Sequence, residues 1–238
     1  MLERLDYVKI APRRVLDAGS GPPRGDLGRR YSGARVIALD FALGMLRPAR
    51  FAFFRKKRFS ICADLERLPL APAAVDLVWC SMALHWLSDP LPAFREFARV
   101  LAPEGLVMFS TLGPDSLKEL RATAGAARVH AFIDMHDLGD MLVAAGFSAP
   151  VMDMELLTFS YQDPTALLAD LRASGQTSAR ADRPRGLTGR RFGERLRAGL
   201  APRATFEVVY GHAWKVGKEK RPESNQDPKT VRVFKRMP

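Results

Sequence analysis

The stretch RVLDAGSGPPRGD at 14–26 decides the fold class, because an apolar run passes directly into a glycine-rich turn. Four similar runs follow, namely RVIALD at 35–40, RFSIC at 58–62, VDLVWC at 75–80 and LVMFST at 106–111. Runs that are nearly all apolar are typical of strands covered on both faces. Helical patterns fit 42–50 and 90–101 between them, and strand–helix repeats build parallel sheets with right-handed crossovers. The sequence therefore predicts an α/β fold.

The second half of the chain has a different pattern. We predict helices over 136–145 and 165–173, and strands over 151–161 and 205–214. Residues 175–203 are rich in Arg, Gly and Ser and show only weak periodicity. Helical insertions between the late strands of such a sheet often cover the pocket at the strand ends, so we expect a lid here.

Composition excludes several classes of protein. The 238 residues are 47% hydrophobic and 26% charged, which is ordinary for a globular chain and excludes disordered, collagenous or coiled-coil proteins. No apolar run reaches the roughly 18 residues of a membrane span, and the charged start does not resemble a signal peptide. Cys62 and Cys80 lie in strand-like runs, and no Cys/His cluster has metal-ligand spacing. We expect a cytoplasmic protein without a metal site.

The net charge of +11 is concentrated in two segments, +6 over 180–203 and +5 over 215–238. A third basic run lies at 47–58 within an otherwise neutral remainder. Such segments are either solvated surface or a face for an acidic partner, and both readings stay open. We expect the polar residues 215–238 to form a flexible tail.

The turn after the first run is a candidate nucleotide site, since such turns bind nucleotides in doubly wound sheets. Gly19 and Gly21 supply a G-x-G pattern, but Arg24 occupies the third glycine position of a dinucleotide fingerprint. Pro22 and Pro23 also remove two N–H donors that a pyrophosphate needs. The turn therefore favours a cofactor that has an adenosine and no phosphate. The alternative is that this is an ordinary Gly-Pro turn without a ligand.

Two acidic residues follow the next two strands. Asp40 comes 21 residues after Gly19, where a carboxylate accepts hydrogen bonds from ribose hydroxyls; its alternative role is a helix N-cap. Asp64 follows the third strand and is placed to accept a hydrogen bond from an adenine amino group. Three such features at successive strand ends together favour adenosine binding.

The chain resembles the class I S-adenosylmethionine-dependent methyltransferases. The resemblance rests on VLDAGSG at 15–21, VIALD at 36–40, ADLERLPL at 63–70, DLVWCSMALHW at 76–86 and RVLAPEGLVMFSTLG at 99–113. It implies a Rossmann-like sheet of six parallel strands and one antiparallel strand, with helical lids over about 113–135 and 162–203. It also implies cofactor contacts by Asp17, Gly19 and Gly21 at the methionine end, Asp40 at the ribose, Asp64 and Leu65 at the adenine, and Phe41 and Met45 flanking the adenosine. Pro23 departs from the small residue of the family's loop.

A narrower resemblance is to the malonyl-acyl-carrier-protein O-methyltransferase family of biotin synthesis. It rests on SMALHWLSDP at 81–90, STLGPDSLKELR at 110–121, FIDMHDLGDMLVAAGF at 132–147, LLADLRASGQTSA at 167–179, GLTGR at 186–190 and TFEVVYGHAWK at 205–215. Arginine-hydroxylating assembly factors of respiratory complex I share part of this pattern and remain an alternative. A non-catalytic cofactor-binding or scaffold protein is a second alternative.

Carboxyl methylation suits a site without a catalytic dyad, because a carboxylate is already ionised at neutral pH and needs no general base. Such a site needs a cation for the substrate carboxylate, and Arg172 on the expected lid helix is our candidate, unless it is merely solvated. His85 and Trp86 follow the fourth strand, where the resemblance implies the methyl-transfer pocket; the alternative for Trp86 is core packing. For Trp79, within the strand, we prefer core packing.

The Arg-rich segment is a candidate docking face for an acidic partner. Acyl carrier proteins are acidic, so Arg183, Arg185, Arg190 and Arg191 would supply a docking face. A nucleic-acid substrate ranks lower, because Phe192 is the only aromatic residue within 180–203 and stacking on bases needs more.

Domain bounds follow from these patterns. We expect one domain over 1–214, with a cofactor core at 14–113. The family resemblance implies an N-terminal helical cover, whereas only 13 residues precede Arg14. We therefore expect either a start upstream of Met1 or a reduced cover.

Overall fold

The computed structural model describes residues 1–22, 25–46, 59–176, 182, 186 and 189–217. Within these ranges seven strands form one sheet. They are β1 (Arg14–Ala18), β2 (Arg35–Asp40), β3 (Phe59–Cys62), β4 (Val75–Ser81), β5 (Leu101–Leu112), β6 (Phe147–Ser160) and β7 (Arg203–Lys215). The α-helices are α1 (Asp26–Arg30), α2 (Leu91–Val100), α3 (Lys118–Ala124), α4 (Met135–Ala144), α5 (Pro164–Ala173) and α6 (Arg190–Gly199).

The strand order is β3-β2-β1-β4-β5-β7-β6. Neighbours from β3 to β5 pair in parallel, and β7 pairs antiparallel with both β5 and β6. Six strands therefore run one way and one runs the other, which confirms the α/β sheet expected from the sequence. The carboxyl ends of β1 to β5 meet at one edge, where ligands bind in open α/β sheets.

The observed bounds of β1 and β2 coincide with the predicted runs, while the other strands differ in length. β5 begins at Leu101 rather than 106, and β6 begins at Phe147 rather than 151. Of the helix predicted at 42–50, the described part is a 3-10 turn at Leu43–Leu46. The basic run at 47–58 and the tail from residue 218 lie outside the described residues.

Apolar side chains cover both faces of the sheet. On one face, α2 buries Phe94 and Phe97, and Phe94 packs against Phe109 of β5 with ring centroids 5.3 Å apart. A second cluster includes Leu5 and Trp79, which confirms the core reading for Trp79. The near-continuous apolar runs of β1 and β4 follow from this two-sided burial.

A third apolar cluster lies apart from these two and joins the helices after β5 and β6. It contains Leu117, Val129, Leu167, Leu171, Leu200 and Ala204. We call this region the lid. Its helix α6 falls in the segment whose periodicity was weak, although Phe192, Leu196 and Leu200 at intervals of four are a signal for it. None of the helices in the described ranges is long and apolar enough to cross a membrane.

Candidate functional site

The turn after β1 is built around two glycines with positive φ, +67° at Gly19 and +57° at Gly21. A Cβ added to Gly19 would lie 2.3 Å from the Cβ of Ala83, closer than real Cβ contacts. Gly19 is therefore required by both conformation and space. Its close approach brings the end of β1 against the segment after β4.

Asp40, at the end of β2, stabilises this turn through its carboxylate. The Gly21 N–H donates to Oδ2 of Asp40 at 2.9 Å, and the Ala42 N–H donates to Oδ1 at 2.8 Å. The bond from Ala42 lies ahead of the 3-10 turn at Leu43–Leu46, so the helix N-cap weighed from the sequence is not seen among the described residues. A carboxylate has about four acceptor positions. Lone pairs therefore remain for hydroxyl groups of a ligand.

Two large apolar side chains that closely follow Asp40 in the chain are exposed. Phe41 is 76% exposed and Met45 is 49% exposed. Asp64 accepts the Glu66 N–H at 3.0 Å through one oxygen, and the Leu65 side chain packs in the core. This group matches a ligand with hydroxyls next to a flat apolar ring, as in adenosine.

Asp17 lies one residue before the end of β1, with Ala38 and Trp79 as its neighbours across the parallel ladder. It is half-buried at the same edge as Gly19. The structure therefore brings the turn, Asp17 and Asp40 together, while Pro23 and Arg24 lie outside the described residues.

A second group of side chains joins the segment after β4 to the lid. The His85 ring centroid lies 5.1 Å from that of Trp86 and 6.3 Å from that of Phe132. The His130 ring contacts Trp86 at 5.3 Å and Phe132 at 6.1 Å. We call His85, Trp86, His130 and Phe132 the aromatic wall. Trp86 is 39% exposed, so this wall reaches the surface.

His85 is the least exposed member of the wall, at 7%. Neither ring nitrogen has a hydrogen-bond partner among the described residues. Burial, assisted by the nearby His130, lowers the pKa of His85 to about 4. The imidazole is therefore neutral at physiological pH.

Arg121 holds the lid side of the wall in place, a role the sequence did not reveal. Its guanidinium donates to the backbone oxygens of Pro114 at 2.6 Å, Ser116 at 3.2 Å and His130 at 3.3 Å. It also lies over the Phe132 ring, 6.0 Å from the centroid. The carbonyls lie in two separate lid segments, so their convergence on one side chain emerges only in three dimensions.

The predicted cations lie on the lid. Arg172 is exposed in the last turn of α5, whose Leu171 packs in the same cluster as Phe132. Arg190 and Arg191 are exposed on α6. The other two arginines of the proposed basic face, at 183 and 185, lie outside the described residues.

Comparison with known proteins agrees with this geometry. A family profile described as a methyltransferase domain matches residues 16–109. The YcgJ protein of Bacillus subtilis superposes with a TM-score of 0.66 at 19% identity, covering 90% of this chain and 97% of that one. Phosphoethanolamine N-methyltransferase 2 of Haemonchus contortus, solved with S-adenosyl-L-methionine, gives a TM-score of 0.56 at 18% identity, covering 90% and 51%. At these identities the likeness shows the fold.

Curated relatives are far more similar in sequence. The malonyl-[acyl-carrier protein] O-methyltransferase of Methylovorus sp. (strain MP688) is 50% identical over 236 residues, covering 90% of this chain and 79% of the relative. The enzyme of the same name from Gallionella capsiferriformans is 49% identical, covering 90% and 81%. The similarity extends well past the profile match into the lid. The chain belongs to the malonyl-[acyl-carrier protein] O-methyltransferase family.

Proposed function

We propose that this protein transfers a methyl group from S-adenosylmethionine to the free carboxylate of malonyl-acyl carrier protein, forming a methyl ester for biotin precursor synthesis. The observation that carries this function is the 50% identity, over 236 residues, to a curated enzyme of that name. The relatives favour carboxyl methylation over the arginine hydroxylation that the sequence left open.

The residues at the ends of β1 to β3 fit the methyl donor. Asp40 offers its remaining lone pairs to the ribose hydroxyls, while Phe41 and Met45 provide exposed apolar surface beside them. Asp17, Gly19 and Gly21 are proposed for the methionine end, and Asp64 and Leu65 for the adenine. The turn does not resemble a pyrophosphate site, because Pro22 lacks an N–H donor.

The reaction needs no proton transfer. A carboxylate oxygen forms a bond to the methyl carbon with its own electron pair, and the carbon–sulfur bond breaks with its electron pair passing to sulfur. The products are the methyl ester and S-adenosylhomocysteine. The protein must align the reacting groups and exclude water, and the aromatic wall suits the second task.

Trp86 and Arg172 are the proposed contacts on the acceptor side. Trp86 presents a partly exposed ring that favours a nearby cation, as a sulfonium is. Arg172 is exposed on a lid helix and has no ion-pair partner among the described residues, so its charge is available for the acceptor's carboxylate.

The basic face is proposed as the docking site for the carrier protein. Helix α6 carries four exposed arginines, at 190, 191, 195 and 197, against one glutamate. The one ion pair described within α6 joins Arg190 to Glu194 at 3.2 Å, with the arginine side chain 95% exposed. Such a pair neutralises little, so the helix stays positive towards an acidic partner.

We also propose a cytoplasmic location. Cys62 and Cys80 are both free thiols, which fits a reducing compartment.

The test is mass spectrometry of malonyl-acyl carrier protein after incubation with the protein and S-adenosylmethionine. We expect a gain of one CH₂ unit on the acyl group. An Arg172→Ala variant should lose most of this product while binding of S-adenosylmethionine, measured by calorimetry, is retained.

No mass gain with cofactor binding intact would overturn the proposed acceptor. Full activity of Arg172→Ala would overturn the role of Arg172 alone. Arg95→Ala is the matched control, because Arg95 is an exposed helix residue of α2, outside the lid.

A further inference from the structure

His85 is the most buried member of the aromatic wall. Its exposure is 7%, and both ring nitrogens lack partners among the described residues. An unsatisfied buried donor is costly, since its bonds to water are lost without replacement. Such a residue is expected to pair with a group that enters the site.

A small cavity lies next to this imidazole. Its volume is ≈ 10 Å³, and its lining includes Thr111, Phe132, Ile133 and Leu138 as well as His85. That volume is about what one water molecule requires. A carbonyl oxygen has a similar size and accepts the same hydrogen bond, so the cavity suits either.

The charge state of His85 narrows the ligand class. Burial and His130 together hold its pKa near 4, so a neutral ring offers one N–H donor and one acceptor. A neutral donor suits an uncharged oxygen. The acceptor's carboxylate has a better partner in a cation such as an arginine.

The cavity adjoins the proposed acceptor site. Its lining includes residues 131–133 of the lid, and Arg121 fixes the carbonyl of the preceding residue, His130. Trp86, which touches His85, reaches the surface. An acyl group approaching along Trp86 would therefore meet His85.

We propose that His85 donates a hydrogen bond to the thioester carbonyl oxygen of the acyl acceptor, taking the place of a single water. This inference rests on the proposed function. In a malonyl thioester one CH₂ separates this carbonyl from the reacting carboxylate, so holding the one positions the other. His85 is then a specificity residue that selects acids with a carbonyl at this spacing.

The experiment pairs a change in the protein with a change in the substrate. The variants are His85→Phe, which keeps a ring without a donor, and His85→Gln, which restores an amide donor. The substrates are malonyl-acyl carrier protein and an analogue in which CH₂ replaces the thioester C=O. We measure kcat and KM for methylation, and the affinity for each acceptor by calorimetry.

We expect His85→Phe to lower kcat/KM and affinity for the malonyl thioester about tenfold and to leave the analogue unaffected. The wild type should discriminate against the analogue by a similar factor, and His85→Gln should recover part of the loss. His136→Phe is the matched control, since His136 is an exposed histidine on α4.

An equal loss on both substrates would overturn the proposal, because it would assign His85 to a structural water or to packing. Unchanged kinetics in His85→Phe would overturn it as well. If His85→Phe does not fold, the wild type and His85→Gln still decide, since equal use of both acceptors by the wild type contradicts a carbonyl contact. Failure of the proposed function is distinct: the wild type would methylate neither substrate.

Discussion

His85 couples folding to pH, because a neutral buried histidine must stay unprotonated in the native state. Its folded pKa is about 4, lowered by burial and by His130, against 6.5 for the free side chain. Between these values the unfolded chain binds more protons than the folded one. The free energy of unfolding therefore rises with pH across this window and falls as the pH drops from 6.5 towards 4.

We predict that preferential protonation of His85 in the unfolded chain lowers the free energy of unfolding by about 3 kcal/mol between pH 7 and pH 4. The measurement is urea unfolding at several pH values for the wild type, His85→Phe and His136→Phe. The His85→Phe variant should show a shallower decline than the other two. Parallel curves for all three proteins would contradict the prediction.

Asp40 is the proposed ribose contact, and in the structure its carboxylate also binds the backbone. It accepts the Ala42 N–H two residues ahead and the Gly21 N–H of the turn. The sequence placed the glycine turn and Asp40 at successive strand ends, and the ends of parallel strands share one edge. No sequence pattern indicated that Asp40 also secures the turn itself.

At the scale of elements, the lid is attached to the sheet through Glu207 of β7. Glu207 is 6% exposed, and its Oε2 accepts the Asp115 N–H at 2.7 Å. The Gly113 N–H and the Ser116 hydroxyl both donate to its backbone oxygen, at 2.9 and 3.1 Å. This carboxylate therefore fixes the point where β5 leads into the lid.

We predict that Glu207→Ala lowers the free energy of unfolding by about 1–3 kcal/mol, because the Asp115 N–H loses the acceptor of a partly buried hydrogen bond. Glu207→Gln keeps an acceptor oxygen and should recover most of the loss. The measurement is denaturant unfolding, together with hydrogen exchange over 113–119. Binding of S-adenosylmethionine should be unchanged, since its proposed residues lie at β1 to β3.

The control for this prediction is Glu3→Ala. Glu3 is exposed near the start of the chain, outside the lid, and its replacement should change stability by no more than about 0.5 kcal/mol. Equal losses in Glu207→Ala and Glu207→Gln would show that the charge matters rather than the acceptor.

At the scale of the whole molecule, the net charge of +11 is a long-range property that an acidic partner would sense. The part of this charge that belongs to the lid is on α6, which packs on α3 through the Thr123 hydroxyl and the Gly199 oxygen, 3.4 Å apart. Arg128 and Phe192 stack across the same junction, with the guanidinium carbon 4.2 Å from the ring centroid. The basic helix is therefore anchored to the lid.

We predict that the double variant Arg191→Glu/Arg195→Glu raises KM for malonyl-acyl carrier protein about tenfold at low salt and weakens its salt dependence. The rate with malonyl-pantetheine, which lacks the carrier protein, should not change. The measurement is steady-state kinetics of both substrates over a range of ionic strength.

Arg67→Glu/Arg95→Glu makes the same change in net charge at exposed positions away from the lid. An equal rise in KM for this control would mean that overall charge, and not a docking face, attracts the carrier protein.

The sequence by itself determined the sheet and led to the proposal that the ends of β1 to β3 bind the cofactor. Strands covered on both faces are apolar along their whole length, and the bounds of β1 and β2 could be read from that pattern alone. Gly19 and Asp40 were found because a tight turn and a strand end place local demands on residue type. Requirements of this kind can be recognised from neighbouring residues in the sequence.

Only the tertiary structure showed the contacts that join the lid to the sheet and form the aromatic wall. His85 meets Phe132, and Glu207 meets Asp115, across long separations in sequence. Helix α6 is rich in arginine and has few apolar residues, so the sequence did not predict it as a helix. The burial of His85, and its lack of a hydrogen-bond partner among the described residues, both depend on such distant contacts. The neutral His85 therefore became visible only when the chain was folded.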